Sequence, residues 1–206
     1  SDVREIGAEW ISYQAIEQLK IKEYLQSIGW EEEQINLTIT QLISRAVYPA
    51  SELKTTQWIR ENSAVCELTQ YPIDTITKDK LYLNALKLYA IKEGLEDHLS
   101  NRTNELFDLQ DKILLYDLTN TYFEGEKRKS KLSQYGRSKE KRSDAKLIVL
   151  ALVINQEGFQ KYSAIYEGNK ADCTTLIDMV KKLCQKTSTD TTLKKLVILD
   201  AGIATD

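Results

Sequence analysis

The amino-acid sequence predicts a mixed α+β chain: an all-helical N-terminal domain over residues 1–108, then a β-β-β-α-β domain over 109–206. Three observations carry that prediction. Apolar residues recur at helical spacing as far as Phe107. From Asp111 the period falls from 3.6 to 2. Three strand-sized segments then precede one amphipathic segment and a last apolar strand.

The helical half reads in order. Trp10, Ile11, Tyr13, Ile16 and Leu19 form one periodic set, and Tyr24, Leu25 and Ile28 a second, stopped by Gly29 as a C-terminal cap. Glu31 to Glu33 place acid in the first turn of a helix that uses Ile35, Leu37, Ile39, Leu42, Ile43 and Ala46 and stops before Pro49. Ser51 caps a short helix through Trp58 and Ile59. After a break at Tyr71-Pro72, Thr77 opens a helix through Leu81, Ala85, Leu88 and Ile91, and Gly94 is expected to bend the chain before a last helix over 95–107. Trp10, Trp30 and Trp58 are read as core.

In the second half, Ile113, Leu115, Asp117 and Thr119 fall on one face of a strand, and Leu114, Tyr116 and Leu118 on the other. Leu147 to Ile154 is apolar on both faces and so predicts a central strand. Asn155 to Gly158 is a hairpin turn, and Phe159 to Tyr166 a third strand. Asp172 caps a helix carrying Leu176, Ile177, Val180, Leu183 and Cys184. Leu196 to Leu199 is a fourth strand, ending at Asp200-Ala201-Gly202. Three consecutive strands pair as a meander, and the crossover helix sets the fourth parallel to an earlier one.

Composition excludes several classes. With 42% apolar and 29% charged residues the 206-residue chain is ordinary globular material. No apolar run approaches the ~20 residues of a membrane span. No signal-peptide pattern opens the chain. Ser1 is not Met, and the last residues fall in what reads as an active-site strand and loop, so the chain is expected to be a piece of a longer protein. Cys66, Cys173 and Cys184 follow no metal or redox spacing and read as buried free thiols in a reducing cytoplasm. His98, the single histidine, argues against zinc sites and against histidine-dependent nucleophiles.

Charge is uneven. Net charge is −3, yet eight of the sixteen residues from Lys127 to Arg142 are Lys or Arg and one is acidic, leaving about −10 elsewhere. These cations are Lys127, Arg128, Lys129, Lys131, Arg137, Lys139, Lys141 and Arg142. Such a block is either a solvated hairpin tip or a phosphate-contacting surface. Tyr135-Gly136 within it supplies a bend and a ring for stacking.

Two carboxylates invite chemistry. Asp117 sits inside an apolar strand, where an ionised side chain is costly unless it is paired or bound to a cation. Asp200 ends the fourth strand, with small residues after it. If that strand lies parallel beside the first, the two carboxylates converge at one sheet edge, as a hard divalent cation requires. The bland alternative is a pair of turn or cap residues.

Four ordered motifs over 112–205 give a resemblance. They are Ile113-Leu-Leu-Tyr-Asp-Leu-Thr-Asn-Thr-Tyr-Phe-Glu-Gly125, Gly136-Arg-Ser-Lys-Glu-Lys-Arg-Ser-Asp144, the stretch from Phe159 through Tyr166-Glu-Gly-Asn-Lys-Ala-Asp172, and Leu196-Val-Ile-Leu-Asp-Ala-Gly-Ile-Ala-Thr205. Together they resemble the insertion-sequence transposases with a DDE active site, in the IS-four-like grouping. Tyr48-Pro-Ala-Ser51 and Asn101-Arg-Thr-Asn-Glu-Leu-Phe107 are similar to the helical region of those proteins.

The resemblance implies a truncated RNase H-like core. It maps Asp117 and Asp200 as the two catalytic, metal-binding aspartates, and places the third acidic residue, a glutamate, past Asp206. It implies Mg²⁺ or Mn²⁺, two ions in the intact enzyme, and double-stranded DNA as partner, both transposon ends and target. Cleavage of a phosphodiester would release a 3′-OH, which then attacks target DNA. Self-association of the full-length protein, a prokaryotic cytoplasmic location on the nucleoid, and little activity in this fragment alone are expected on the same basis. Two other readings remain open: an actin-like ATP-binding fold, against which the lack of a glycine-rich phosphate loop counts, and a non-enzymatic helical module for DNA or protein interaction.

Overall fold

The computed structural model describes residues 3–123, 130–136, 145–170, 175–177, 179–182 and 196–199. It divides the chain into two compact units, Ser1–Arg102 and Thr103–Asp206. The division falls six residues ahead of the expected 108/109 boundary, inside the last helix.

Unit one is helical: α1 (Gly7–Gln18), α2 (Ile21–Ser27), α3 (Glu32–Val47), α4 (Glu52–Glu61), α5 (Val65–Thr69), α6 (Lys78–Ala90) and α7 (Lys92–Phe107), with a 3₁₀ turn at Ile73–Thr75. Gly29 ends α2 as expected. Its φ is +82°, its amide donates to Gln26 O, and Trp30 N donates to Leu25 O, the paired bonds of a Schellman cap. The Ser51 and Thr77 side chains accept from Lys54 N and Lys80 N to start α4 and α6. The core gathers Leu25, Ile35, Ile43, Ile59, Val65, Ile76 and Leu81, all essentially inaccessible.

Two expectations are corrected here. The chain breaks at Ile91, and Gly94 lies inside α7. Its missing side chain instead admits Tyr24, whose Oη would stand 2.5 Å from a Cβ at that position. Trp10 is half exposed and stacks on Tyr13 with ring centroids 6.2 Å apart, whereas Trp30 and Trp58 do pack on the core. The inward position on the first turn of α1 belongs to Glu9, whose Oε1 accepts from the buried Ser63 hydroxyl at 2.6 Å.

Buried polar groups tie α3 to α6. Asn84 Oδ1 accepts from Thr38 Oγ1 at 2.8 Å and from Gln34 Nε2, while its Nδ2 donates to Gln41 Oε1 at 2.6 Å. Each polar atom of the Asn84 side chain is therefore matched, as burial demands.

Unit two is built on a four-stranded sheet: β1 (Ile113–Tyr122), β2 (Leu147–Asn155), β3 (Gln160–Glu167) and β4 (Leu196–Leu199), in the order β3-β2-β1-β4. The first three strands form the expected meander, β1 antiparallel to β2 and β2 to β3. β4 lies parallel to β1, with Ile113 opposite Leu196 and Tyr116 opposite Leu199. The β2–β3 turn closes on Gly158 (φ +88°), and Asn155 Oδ1 accepts from Phe159 N.

One face of the sheet is covered. Leu114, Tyr116, Leu118, Leu147, Val149, Ala151, Val153 and Tyr162 pack with Met179 and Leu176 of a helical segment, 175–177 and 179–182. Tyr116 Oη donates to Thr175 Oγ1 at 3.1 Å. Asp172, the expected cap of this segment, lies outside the described residues, as do Cys173 and Cys184. Among the described residues no helix is long and apolar enough to cross a membrane.

Candidate active site

Alternation along β1 puts Ile113, Leu115, Asp117, Thr119 and Thr121 on the face away from the helical segment. Asp117 pairs with Leu152 of β2 and is exposed. Thr119 Oγ1 donates to Asp117 Oδ2 at 3.5 Å, a long and weak bond. Asp117 is therefore solvated and not enclosed by the apolar strand as expected. Both parities of β1 begin apolar, so sequence alone assigns no inner face, and the carboxylate falls on the outer one.

What the fold brings together is the backbone that precedes the two aspartates. The parallel β1–β4 register ends at Tyr116 opposite Leu199. Asp117 follows Tyr116, and Asp200 follows Leu199 in the sequence. Asp200 itself lies outside the described residues.

An exposed carboxylate on an open sheet face is a fitting donor for a hard cation that keeps several of its waters. Among the described residues no three His, Cys, Asp or Glu side chains gather into a metal-binding group. Of the basic run, Lys131 is described and exposed; Lys127, Arg128, Lys129, Arg137, Lys139, Lys141 and Arg142 lie outside the described residues.

The remaining singled-out side chains take structural roles. His98 donates from Nε2 to Leu19 O at 2.8 Å and stacks on Tyr24 with centroids 4.8 Å apart. Cys66 is buried in the helical core, and that burial pushes its thiol up to about 11, far from a reactive thiolate. A cleft of about 650 Å³ between α3 and α6 is lined by Gln34, Tyr71, Lys80, Asn84 and Lys87. Its polar groups bond one another, Lys87 Nζ to Gln34 Oε1 at 2.6 Å and Lys80 Nζ to Tyr71 Oη at 3.1 Å.

Sequence reasoning missed the buried charge cluster of unit two. Lys161 Nζ bonds Asp111 Oδ1 at 3.0 Å and donates to Asn104 Oδ1 at 2.6 Å. Asn155 Nδ2 donates to Asp111 Oδ1 at 3.1 Å, and Asn104 Nδ2 to Asp111 Oδ2 at 3.0 Å. Burial pushes the Asp111 carboxyl up. The bonds from Asn104, Lys161 and Asn155 and the Lys161 charge outweigh it and hold the group below its ordinary value. The cluster knots the end of α7 to the start of β1 and to the β2–β3 turn. A Lys six residues past a hairpin Asn was its faint signal.

Comparison of the chain with protein-family models, with curated proteins and with solved structures finds no match.

Proposed function

We propose that this chain carries two aspartates of a metal-dependent DNA-cutting and DNA-joining site, Asp117 and Asp200, in a transposase of the DDE type with an RNase H-like core. The observation that carries the reading is the parallel β1–β4 register ending at Tyr116 and Leu199, the residues immediately before the two aspartates. A meander of three strands with the fourth parallel to the first is also the topology that this reading calls for.

In this reading Asp117 offers its carboxylate from the open face, beside the Thr119 hydroxyl. Asp200 supplies the second carboxylate. Divalent ions bound there would stabilise the attacking and leaving oxygens of phosphoryl transfer. Lys131 and the rest of the basic run would neutralise DNA phosphates near the same strand. The helical unit would serve DNA binding or assembly.

The resemblance assigns the third carboxylate to no residue among 1–206, so metal binding is a more direct test than turnover. Calorimetric titration with Mn²⁺ should show binding that Asp117→Ala and Asp200→Ala each weaken at least tenfold. Equal binding by the wild type and both variants would sink the assignment.

A further inference from the structure

The open face of the sheet holds a polar row beyond Asp117. Thr119 and Thr121 are exposed and stand two and four residues along β1, on the same face. They lie opposite Leu150 and Ile148 of β2. Two residues before Ile148 stands Lys146, on that face again by alternation. Its Nζ lies over the Tyr135 ring, 5.9 Å from the centroid. From Leu152, opposite Asp117, to Lys146 is six residues, about 20 Å of strand.

The backbone around Tyr135 is fixed, while its ring is exposed. Gln134 exchanges both backbone bonds with Leu147, at 3.1 and 2.9 Å, and Gly168 N donates to Leu132 O at 3.2 Å. A Cβ on Gly168 would stand 2.2 Å from Leu147 O, and one on Gly136 would stand 1.9 Å from Gly168 O. The segment 130–136 is thus pressed backbone-to-backbone against the sheet end. The sequence on either side of it, 124–129 and 137–144, carries seven of the eight cations of the basic run. On the β3 side of the same face stands Glu167, opposite Ile148.

We propose that Thr119, Thr121 and Lys146, the last held on the Tyr135 ring, form a track for the phosphodiester backbone of DNA, leading a strand along β1 to Asp117. The proposal rests on the reading of Asp117 as a phosphoryl-transfer residue. Threonine hydroxyls donate to phosphate oxygens and position a strand without reading its sequence. The aromatic face beneath Lys146 restrains the ammonium group while leaving its charge intact. The apolar side chains beside the row, Leu150 and Ile148, add no competing anion.

Binding of a short mixed-sequence duplex to the full 206-residue chain, followed by fluorescence anisotropy across a salt series, tests the track. Lys146→Gln should weaken binding several-fold at low salt and lower the salt slope by about 0.9, the value for one phosphate contact. Lys146→Arg should keep the slope, and Thr121→Val should weaken binding less while leaving the slope unchanged. If Lys146→Gln proves misfolded by circular dichroism, the Thr121→Val and Lys146→Arg pair carries the test. Salt-dependent binding by the wild type that none of these changes alters would overturn the track and leave the Asp117 reading standing. No salt-dependent binding at all would also overturn it, and the Mn²⁺ titration of Asp117→Ala would then judge the active-site reading separately.

Discussion

Of the two aspartates at the first strand, Asp117 is exposed and Asp111 is the one held in a bonded cluster. Asp117 looks buried because its chain neighbours are Leu, Tyr and Leu, but alternation gives parity without phase, and here the phase turns it outward. Asp111, which in the sequence marks only the change of period, is the one enclosed, with Lys161 at 3.0 Å. Breaking such a pair strands a buried charge, so Asp111→Asn and Lys161→Met should each cost about 3–5 kcal/mol in urea unfolding. Replacing both by apolar residues should cost much less. The pH dependence follows from the lowered carboxyl of Asp111. Its contribution is present above the unfolded value, about 3.9, and is lost as pH falls through the lower folded value. The stability gap between wild type and Asp111→Asn should stay level from neutral pH to about 5 and narrow below about 4. A gap that widened in acid would contradict the assignment.

Among elements, caps were the most legible feature. Gly29, Ser51 and Thr77 announce helix ends because each supplies a specific backbone need that sequence displays. The short α5 escaped notice because five residues, Val65–Thr69, hold too little periodicity to count. The α6–α7 break was misplaced because Gly94 serves a close approach by Tyr24, not a turn. The meander and a parallel fourth strand were legible from the crossover rules, but its place beside β1 comes from the fold; the buried Asn84 network was not legible, since its partners Thr38 and Gln41 are more than forty residues away in sequence. Asn84→Ala would take the donor from buried Gln41 Oε1, while Thr38 keeps its bond to Gln34 O, and should cost about 1–3 kcal/mol, read as a shift in the unfolding midpoint. Asn84→Asp, which also loses the donated bond to Gln41, should fare no better.

At the scale of the molecule there are two cores, one wholly within the helical unit and one within the sheet unit. All three tryptophans, Trp10, Trp30 and Trp58, lie in the helical unit, Trp30 and Trp58 against its core. Tryptophan fluorescence therefore reports the helical unit, and strand circular dichroism the other. Ile43→Ala should move the fluorescence transition by about 2–5 kcal/mol, and Val153→Ala should spare it and move the dichroism component. Coincident shifts of both signals by either change would mean that the units unfold as one. The sequence displayed this division through its change of period near Asp111, while the contact boundary falls at Arg102 because the end of α7 is knotted to the sheet through Asn104.

The crossing of Gly136 over Gly168 has a bearing on how mutational tolerance will look. Neither residue has a side chain to offer chemistry, yet an added methyl at either would strike main-chain atoms that cannot swing aside. In a saturation scan scored by function alone, both glycines should rank beside Asp117 as intolerant. A parallel scan scored by abundance in the cell should separate them. Substitutions at Gly136 and Gly168 would deplete the protein, whereas Asp117, exposed and held by one long bond, would tolerate replacement with its expression level intact.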